Sequence, residues 1–202
     1  NQNSGAVTGK NYVGGVVGRF YDSYSPRSDS TYNTKLSKFS NSGTVTGEQY
    51  VGGIFGYLHI SAQYGGWSPS MMVTVTGFTA EGTVTGKNYV GGMFGYAYAN
   101  NSGSVMRGCI MSGSVTAEAI VGGIAGKLDN IKLVECKLTE TASVTATGSF
   151  IENSVYYAYF GGLVGWVLAY APRRNRSTIQ VVGLLGVLVV CLGAVLARLT
   201  LV

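Results

Sequence analysis

Five near-copies of one short pattern run along this chain, and that self-similarity limits the fold more than any other feature. The segments SGAVTGKNYVGGVVG, SGTVTGEQYVGGIFG, EGTVTGKNYVGGMFG and SGSVTAEAIVGGIAG begin at Ser4, Ser42, Glu81 and Ser112. A degraded fifth copy runs from ASVTATG at Ala142 to YFGGLVG at Tyr159, and the doublets open at Gly14, Gly52, Gly91, Gly122 and Gly161. A period of roughly forty residues, shortened in the fourth copy, means one supersecondary unit that buries its apolar face only against its neighbours.

Each unit carries three apolar stations. The first is an aliphatic residue followed three positions later by Phe or Cys: Leu36/Phe39, Val75/Phe78, Met106/Cys109 and Leu133/Cys136. The second is the lone valine at Val45, Val84, Val115 and Val144, and the third is the YVGG block with its following aliphatic. Recurrent glycine doublets, many β-branched residues and no sustained 3.6-residue period disfavour helix. The expected fold is all-β: a right-handed parallel β-helix of about five coils over residues 1–168, three-sided, with one turn running from about Leu36 to Tyr57. The four valines then stack inward about 4.8 Å apart. Lys10, Glu48, Lys87 and Glu118 share a station and form a ladder of alternating charge. Cys109 and Cys136 replace inward phenylalanines, so they fall in adjacent coils as free thiols acting as small hydrophobes. The doublets mark either a corner needing positive φ or a place where backbone crowds the next coil.

Length variation gathers between each glycine block and the next apolar pair, at Phe20–Lys35, Tyr57–Thr74, Tyr96–Val105 and Lys127–Lys132. Insertions at one corner of a solenoid project from one side, often the binding side. The fifth copy instead carries its extra residues at Ser149–Ala158.

Little in this pattern supports chemistry. Glutamates and aspartates do not cluster on one strand position, as glycosidase or calcium work on a β-helix requires. His59 is the single histidine, with no cysteine or carboxylate nearby in sequence, and reads as a surface histidine. No catalytic, cofactor-binding or metal-ligating residue is expected. Four of the five formal net positive charges correspond to Arg173, Arg174, Arg176 and Arg198; the repeats upstream are nearly neutral, which excludes nucleic acid as a partner.

The pattern G-x-V-x-G-x-x-Y-V-G-G-[VIM]-x-G resembles the GLUG-motif repeat, over roughly residues 4–165. That motif occurs in bacterial surface and adhesin-like proteins and in non-catalytic regions of some immunoglobulin A-cleaving metalloproteases. The resemblance implies a parallel β-helix on an exported protein. It carries over no catalytic residue, since the H-E-x-x-H zinc signature is missing.

Tyr12, Tyr50, Tyr89 and Tyr159 occupy one station, with Ile120 in the fourth copy. With Val51 inward, Tyr50 points outward, giving a tyrosine column thickened by Tyr21, Tyr24, Tyr57, Tyr64, Trp67, Tyr96 and Tyr98. Two readings stand: a stabilising aromatic ladder, or a face for a glycan or an extracellular protein partner built on Tyr12, Tyr50, Tyr89, Tyr159, Tyr64 and Trp67. Beyond a basic linker at 169–178, Ile179–Ala197 has Gln180 as its only polar residue, and the segment 179–202 is expected to form a C-terminal transmembrane helix. The arginines before it favour cytoplasmic repeats, an expectation set aside for an exported array. The chain reads as a membrane-anchored, surface-exposed scaffold for adhesion or a stalk. The alternative is a non-catalytic repeat region of a secreted peptidase or carbohydrate-active enzyme.

Overall fold

The computed structural model describes residues 1–23, 31–61, 70–101, 103–148, 150–152, 155–157 and 159–168. Every regular element among them is a strand. The strands stack in parallel into five sheets, one strand per coil in each. Sheet A holds Gln2–Asn3, Ser40–Asn41, Thr79–Ala80, Ile110–Met111 and Lys137–Leu138. Sheet B holds Val7–Thr8, Val45–Thr46, Thr83–Gly86, Ser114–Ala117 and Ser143–Ala146. Sheet C holds Asn11–Gly14, Gln49–Gly52, Asn88–Gly91, Ile120–Gly122 and Tyr159–Gly161, and sheet D holds Val17–Asp22, Phe55–Ile60, Phe94–Ala99, Ala125–Asp129 and Val164–Leu168. Sheet E has Thr31–Ser37, Ser70–Thr76, Ser104–Arg107 and Ile131–Val134. The fold is a parallel β-solenoid.

Register follows the repeat. Val7, Val45, Val84, Val115 and Val144 pair in order through sheet B. Val45, Val84 and Val115 are buried, while Val144 is partly buried against the core. Their neighbours Thr8, Thr46, Thr85, Thr116 and Thr145 pair in the same order on the outer face, the period-2 alternation of a half-buried sheet. Leu36, Val75, Met106 and Leu133 align in sheet E. Beside them Phe39 and Phe78 pack at a tilt with centroids 5.1 Å apart, and Phe78 lies against Phe55 and Phe94 at 5.9 and 5.7 Å. These rings fill the second and third coils, and Cys109, Ala125 and Cys136 later take the equivalent places. Smaller inward side chains thus accompany shorter turns. Of the charge ladder, Glu48 and Lys87 form an ion pair at 3.7 Å, both half exposed, which contributes little to stability.

The expectation of three sides is corrected: each turn has five short strands. Two were taken in large part for insert, which was drawn over Tyr57–Thr74 in the second coil. Phe55–Ile60 and Ser70–Thr76 are ladder strands whose inward residues Leu58, Ile60, Met71, Val73 and Val75 are buried, and only the residues between them vary in length. That link is 23–30 in the first coil, 61–69 in the second, 100–103 in the third and Asn130 alone in the fourth. In the fifth coil the extra residues include an antiparallel pairing of Phe150–Glu152 with Val155–Tyr157, set between sheets B and C. The basic linker and the C-terminal helix expected at 179–202 lie outside the described residues. Among the described residues no helix is long and apolar enough to cross a membrane.

The doublets resolve to crowding rather than positive φ. A Cβ on Gly53 would run into the carbonyl oxygen of Gly92, and one on Gly92 into that of Gly123. Bare backbone is what lets successive coils sit at ladder distance there. Positive φ occurs elsewhere, including the first residue of a two-residue corner between sheets E and A, where Lys38, Gly77, Gly108 and Glu135 have φ of 55°, 62°, 61° and 54°. Two substitutions separate these demands. Gly53→Ala should destabilise the array by about 2–3 kcal/mol or more through overpacking. Lys38→Gly should stabilise it by about 0.5–1 kcal/mol, since leaving αL strain gains about 1–2 kcal/mol against glycine's added entropy cost. Urea denaturation midpoints measure both, and a Gly53→Ala protein as stable as its parent would refute the crowding.

Candidate functional site

Sheets C and D turn a continuous field of aromatic side chains outward. Three columns run along the solenoid axis. Tyr12, Tyr50 and Tyr89 come from sheet C. Arg19, Tyr57, Tyr96 and Lys127 pair in register through sheet D, followed by Tyr21, His59, Tyr98 and Asp129. The inward partners of the sheet D columns, Leu58, Ala97 and Leu128, are buried, so strand alternation fixes which side the polar aromatics face.

The rings use their faces on one another. Tyr12 and Tyr50 lie 5.2 Å apart at 7°, and Tyr50 and Tyr89 4.9 Å apart at 6°. Tyr57 meets Tyr12 and Tyr50 edge-on at 5.2 and 5.5 Å. His59 is sandwiched between Tyr21 at 4.7 Å and Tyr98 at 4.5 Å. Cations close the middle column at both ends: the Arg19 guanidinium sits 5.3 Å over Tyr12 and 5.6 Å over Tyr57, and the Lys127 ammonium 5.0 Å over Tyr96. Both faces of Tyr50 are covered, so no sugar ring can lie flat on it. What the centre of the field presents to a partner is phenol edges, which carry the positive rim of the ring quadrupole.

The backbone under the tyrosines is strained. Tyr12, Tyr50 and Tyr89 have φ of 55°, 54° and 54°, a region that bulky residues rarely enter. At each, the parallel ladder skips the tyrosine and resumes at the following valine. A non-glycine residue held there costs about 1–3 kcal/mol, whereas an aromatic pair returns about 0.5–1.5 kcal/mol beyond its buried area. Asparagine or glycine would meet the backbone requirement at less cost. Tyr50 makes three such pairs, with Tyr12, Tyr89 and Tyr57, so the ring contacts and the backbone strain are of similar size.

At its far end the field gains a carboxylate. Tyr96 donates a 2.7 Å hydrogen bond to Asp129 Oδ2, and Lys127 Nζ lies 3.5 Å from the same oxygen. Burial first, and the Asp129 bond second, hold the Tyr96 phenol well above its ordinary range, so it stays protonated. Burial also raises Tyr57 and Tyr98. His59 lies within 3.3 Å of the Tyr57 hydroxyl through Nδ1 and 3.1 Å of Ser61 Oγ through Nε2. Burial and then the Arg19 charge push its pKa down, favouring the neutral ring. Ser61 is itself buried and the other partner is a phenol, so these bonds tether a stacked imidazole and lack the carboxylate that would orient a base.

Of the residues expected at a partner face, Tyr12, Tyr50 and Tyr89 come together, joined by Tyr21, Tyr57, Tyr96 and Tyr98. Tyr159 is placed in sheet C opposite Ile120, with only its backbone position described. Tyr64, Trp67 and Tyr24 lie outside the described residues. The sequence reading missed Arg19, Lys127 and Asp129 and took His59 for an isolated surface residue. A signal for them existed: Arg19, Tyr57, Tyr96 and Lys127 each follow the third glycine of the motif, at Gly18, Gly56, Gly95 and Gly126. Among the described residues no cluster of His, Cys, Asp and Glu could hold a metal ion. Two open clefts elsewhere are lined by Val121, Val144, Ala146, Gly161 and Gly162 and by Asp22, Tyr32, Asn33, Thr34 and Met71. The first has no ionisable side chain in its lining and the second only Asp22 and Tyr32. No protein-family model, curated protein or solved structure matches the chain.

The lowered pKa of His59 has a sign that can be checked. The unfolded chain takes up this proton at a higher pH than the folded one, so stability rises with pH across the interval between the two values. The melting temperature should fall as pH drops from about 7 through the unfolded histidine value of about 6.5, and His59→Phe should flatten that step while keeping a ring in the stack. A step of equal size in His59→Phe would assign it to other groups.

Proposed function

We propose that this chain is a surface-exposed repeat scaffold that mediates adhesion, with the outward tyrosines as its partner face and no catalytic role. The observation that carries the reading is the strained backbone under Tyr12, Tyr50 and Tyr89: tyrosine recurs in three coils at a station whose backbone asparagine or glycine would adopt at less cost. Such strain persists where surrounding structure over-determines it and is found disproportionately at sites that bind or act. The edge-on presentation favours partners that offer hydrogen-bond acceptors, such as glycan oxygens or the polar rim of an extracellular protein. Tyr159, Tyr64 and Trp67 belong to the same proposed side.

The remaining features of this reading are the likeness to GLUG-motif repeats, a right-handed sense for the coil, and a membrane span at Ile179–Ala197 that anchors the array outside the cell. The handedness rests on the general rule for crossovers between parallel strands. The span rests on length and apolarity.

Two experiments test the parts separately. Replacing Tyr50 and Tyr89 together with serine should abolish retention on a glycan array or on host-cell surfaces while the circular dichroism of the array is kept. Full retention by the double variant would remove the tyrosines from the partner face, and an intact parent that binds neither surface would leave a stalk without a ligand. For the anchor, deleting residues 177–202 should release the array in soluble form, and protease added to intact cells should digest the repeats of the full chain.

A further inference from the structure

The strongest unassigned chemistry lies away from the aromatic field, at the corner between sheets E and A. Cys109 and Cys136 occupy the same station in the fourth and fifth coils. The register on either side is continuous, with Arg107 opposite Val134 and Ile110 opposite Lys137. Each follows a positive-φ residue, Gly108 and Glu135, so the two side chains leave equivalent backbones in the same inward direction. Neighbouring strands are about 4.8 Å apart, inside the Cα separation of roughly 4.4–6.8 Å that a disulfide spans. Both thiols are free, and Cys136 Sγ lies 3.3 Å from the Met106 carbonyl of the preceding coil.

The two sulfurs are not equivalent. Cys109 is fully buried, whereas Cys136 is only partly so. The neighbouring Cys136 sulfur and burial push the Cys109 thiol up. The neighbouring Cys109 thiol, and the Arg107 charge beyond it, favour the Cys136 thiolate. One sulfur is thus accessible and ionisable, and the other is protected directly behind it.

We propose that Cys109 and Cys136 form a dithiol modification site that reacts with a small disulfide of the glutathione class and closes into a bond between the last two coils. The Cys136 thiolate attacks one sulfur of the small disulfide, breaking its S–S bond and expelling one thiolate, which takes up the proton Cys136 released. Cys109 then loses its proton and attacks Cys136 Sγ in the mixed disulfide, expelling the second small thiolate, which is protonated in turn. The protein thiols lose two electrons and two protons, and the small disulfide gains them as two thiols.

The position gives the bond a mechanical role. The segment from Cys109 to Cys136 passes once through sheets A, B, C, D and E, so closure fastens one whole turn. A linear array opens from its ends, and the described part of sheet E stops at Ile131–Val134. The bond therefore ties the coil beyond that end to the one before it. The inference is independent of the adhesion reading.

The full chain, equilibrated with a mixture of reduced and oxidised glutathione at neutral pH and mapped by peptide mass spectrometry, tests it. The expected product is a cross-linked pair of peptides containing Cys109 and Cys136, with Cys191 read in its own peptide. Cys109→Ser should stop at the mixed disulfide and accumulate glutathione on Cys136, while Cys136→Ser should leave Cys109 unmodified. In the oxidised wild type, proteolysis on the carboxyl-terminal side of Lys137 should slow several-fold and return to its original rate on reduction. A wild type that forms no cross-link while remaining folded, or a Cys136→Ser chain glutathionylated as fast as Cys109→Ser, would overturn the proposal.

Discussion

The close approach of backbone to backbone between successive coils is the constraint on which the molecule depends. Parallel pairing about 4.8 Å apart, repeated at five places around each turn, requires equivalent residues to coincide coil after coil. Where two chain segments also cross at a corner, a single Cβ would force them apart. The carbonyl of Gly92 occupies the space a side chain on Gly53 would need, and the carbonyl of Gly123 does the same for Gly92. This is why the motif is spelled in glycine, and why the valine, threonine and phenylalanine columns can be continuous. Once the doublets set the coil spacing, inward positions need only be apolar and of fitting size.

That tolerance explains how far the sequence could be read. The stations tied to glycine were legible because their spacing recurs: the sheet B valines, the tyrosine column, and the pair that becomes Cys109 and Cys136. The strands of sheets D and E were legible only in part: Leu36, Val75, Met106 and Leu133 recur at a fixed distance from Phe or Cys, but the other inward residues vary freely in identity. Phe20, Leu58, Ala97 and Leu128 share a position, and so do Tyr32 and Met71, yet no common letter joins them. Without one, alternation over a few residues cannot be told from an irregular link, and much of two strands per turn passed for insertion. The variable corner was placed correctly on the chain but drawn too long.

The aromatic field shows the same division between what recurrence reveals and what contact decides. Tyrosine at one station pointed to an outward column. Its strained φ and the ladder skipping at each tyrosine follow from packing against Gly18, Gly56 and Gly95. A Cβ on Gly56 would meet the Tyr12 carbonyl carbon, and one on Gly95 that of Tyr50. Sheets C and D press together at this corner, and the tyrosine backbone bends away to admit them. Recurrence marks the station of Arg19 and Lys127 but not their capping role, because those residues appear once each and matter only as the two ends of a column.

The ends of a repeat array are physically unlike its middle, and most of the chain's departures from its own pattern occur towards them. An inner coil has both faces covered, so its sequence is held to what stacking permits. Toward the carboxyl-terminal end of the described array, coils shorten, phenylalanine gives way to cysteine, Ile120 interrupts the tyrosines, and an antiparallel hairpin enters between sheets B and C. Shorter coils and cysteine in place of phenylalanine lower the apolar area that one coil buries against the next, at about 25 cal/mol per Å². A terminal coil held by less burial opens more often than an inner one. A covalent tie has its greatest effect where non-covalent stacking is weakest, and that is where the two thiols face each other.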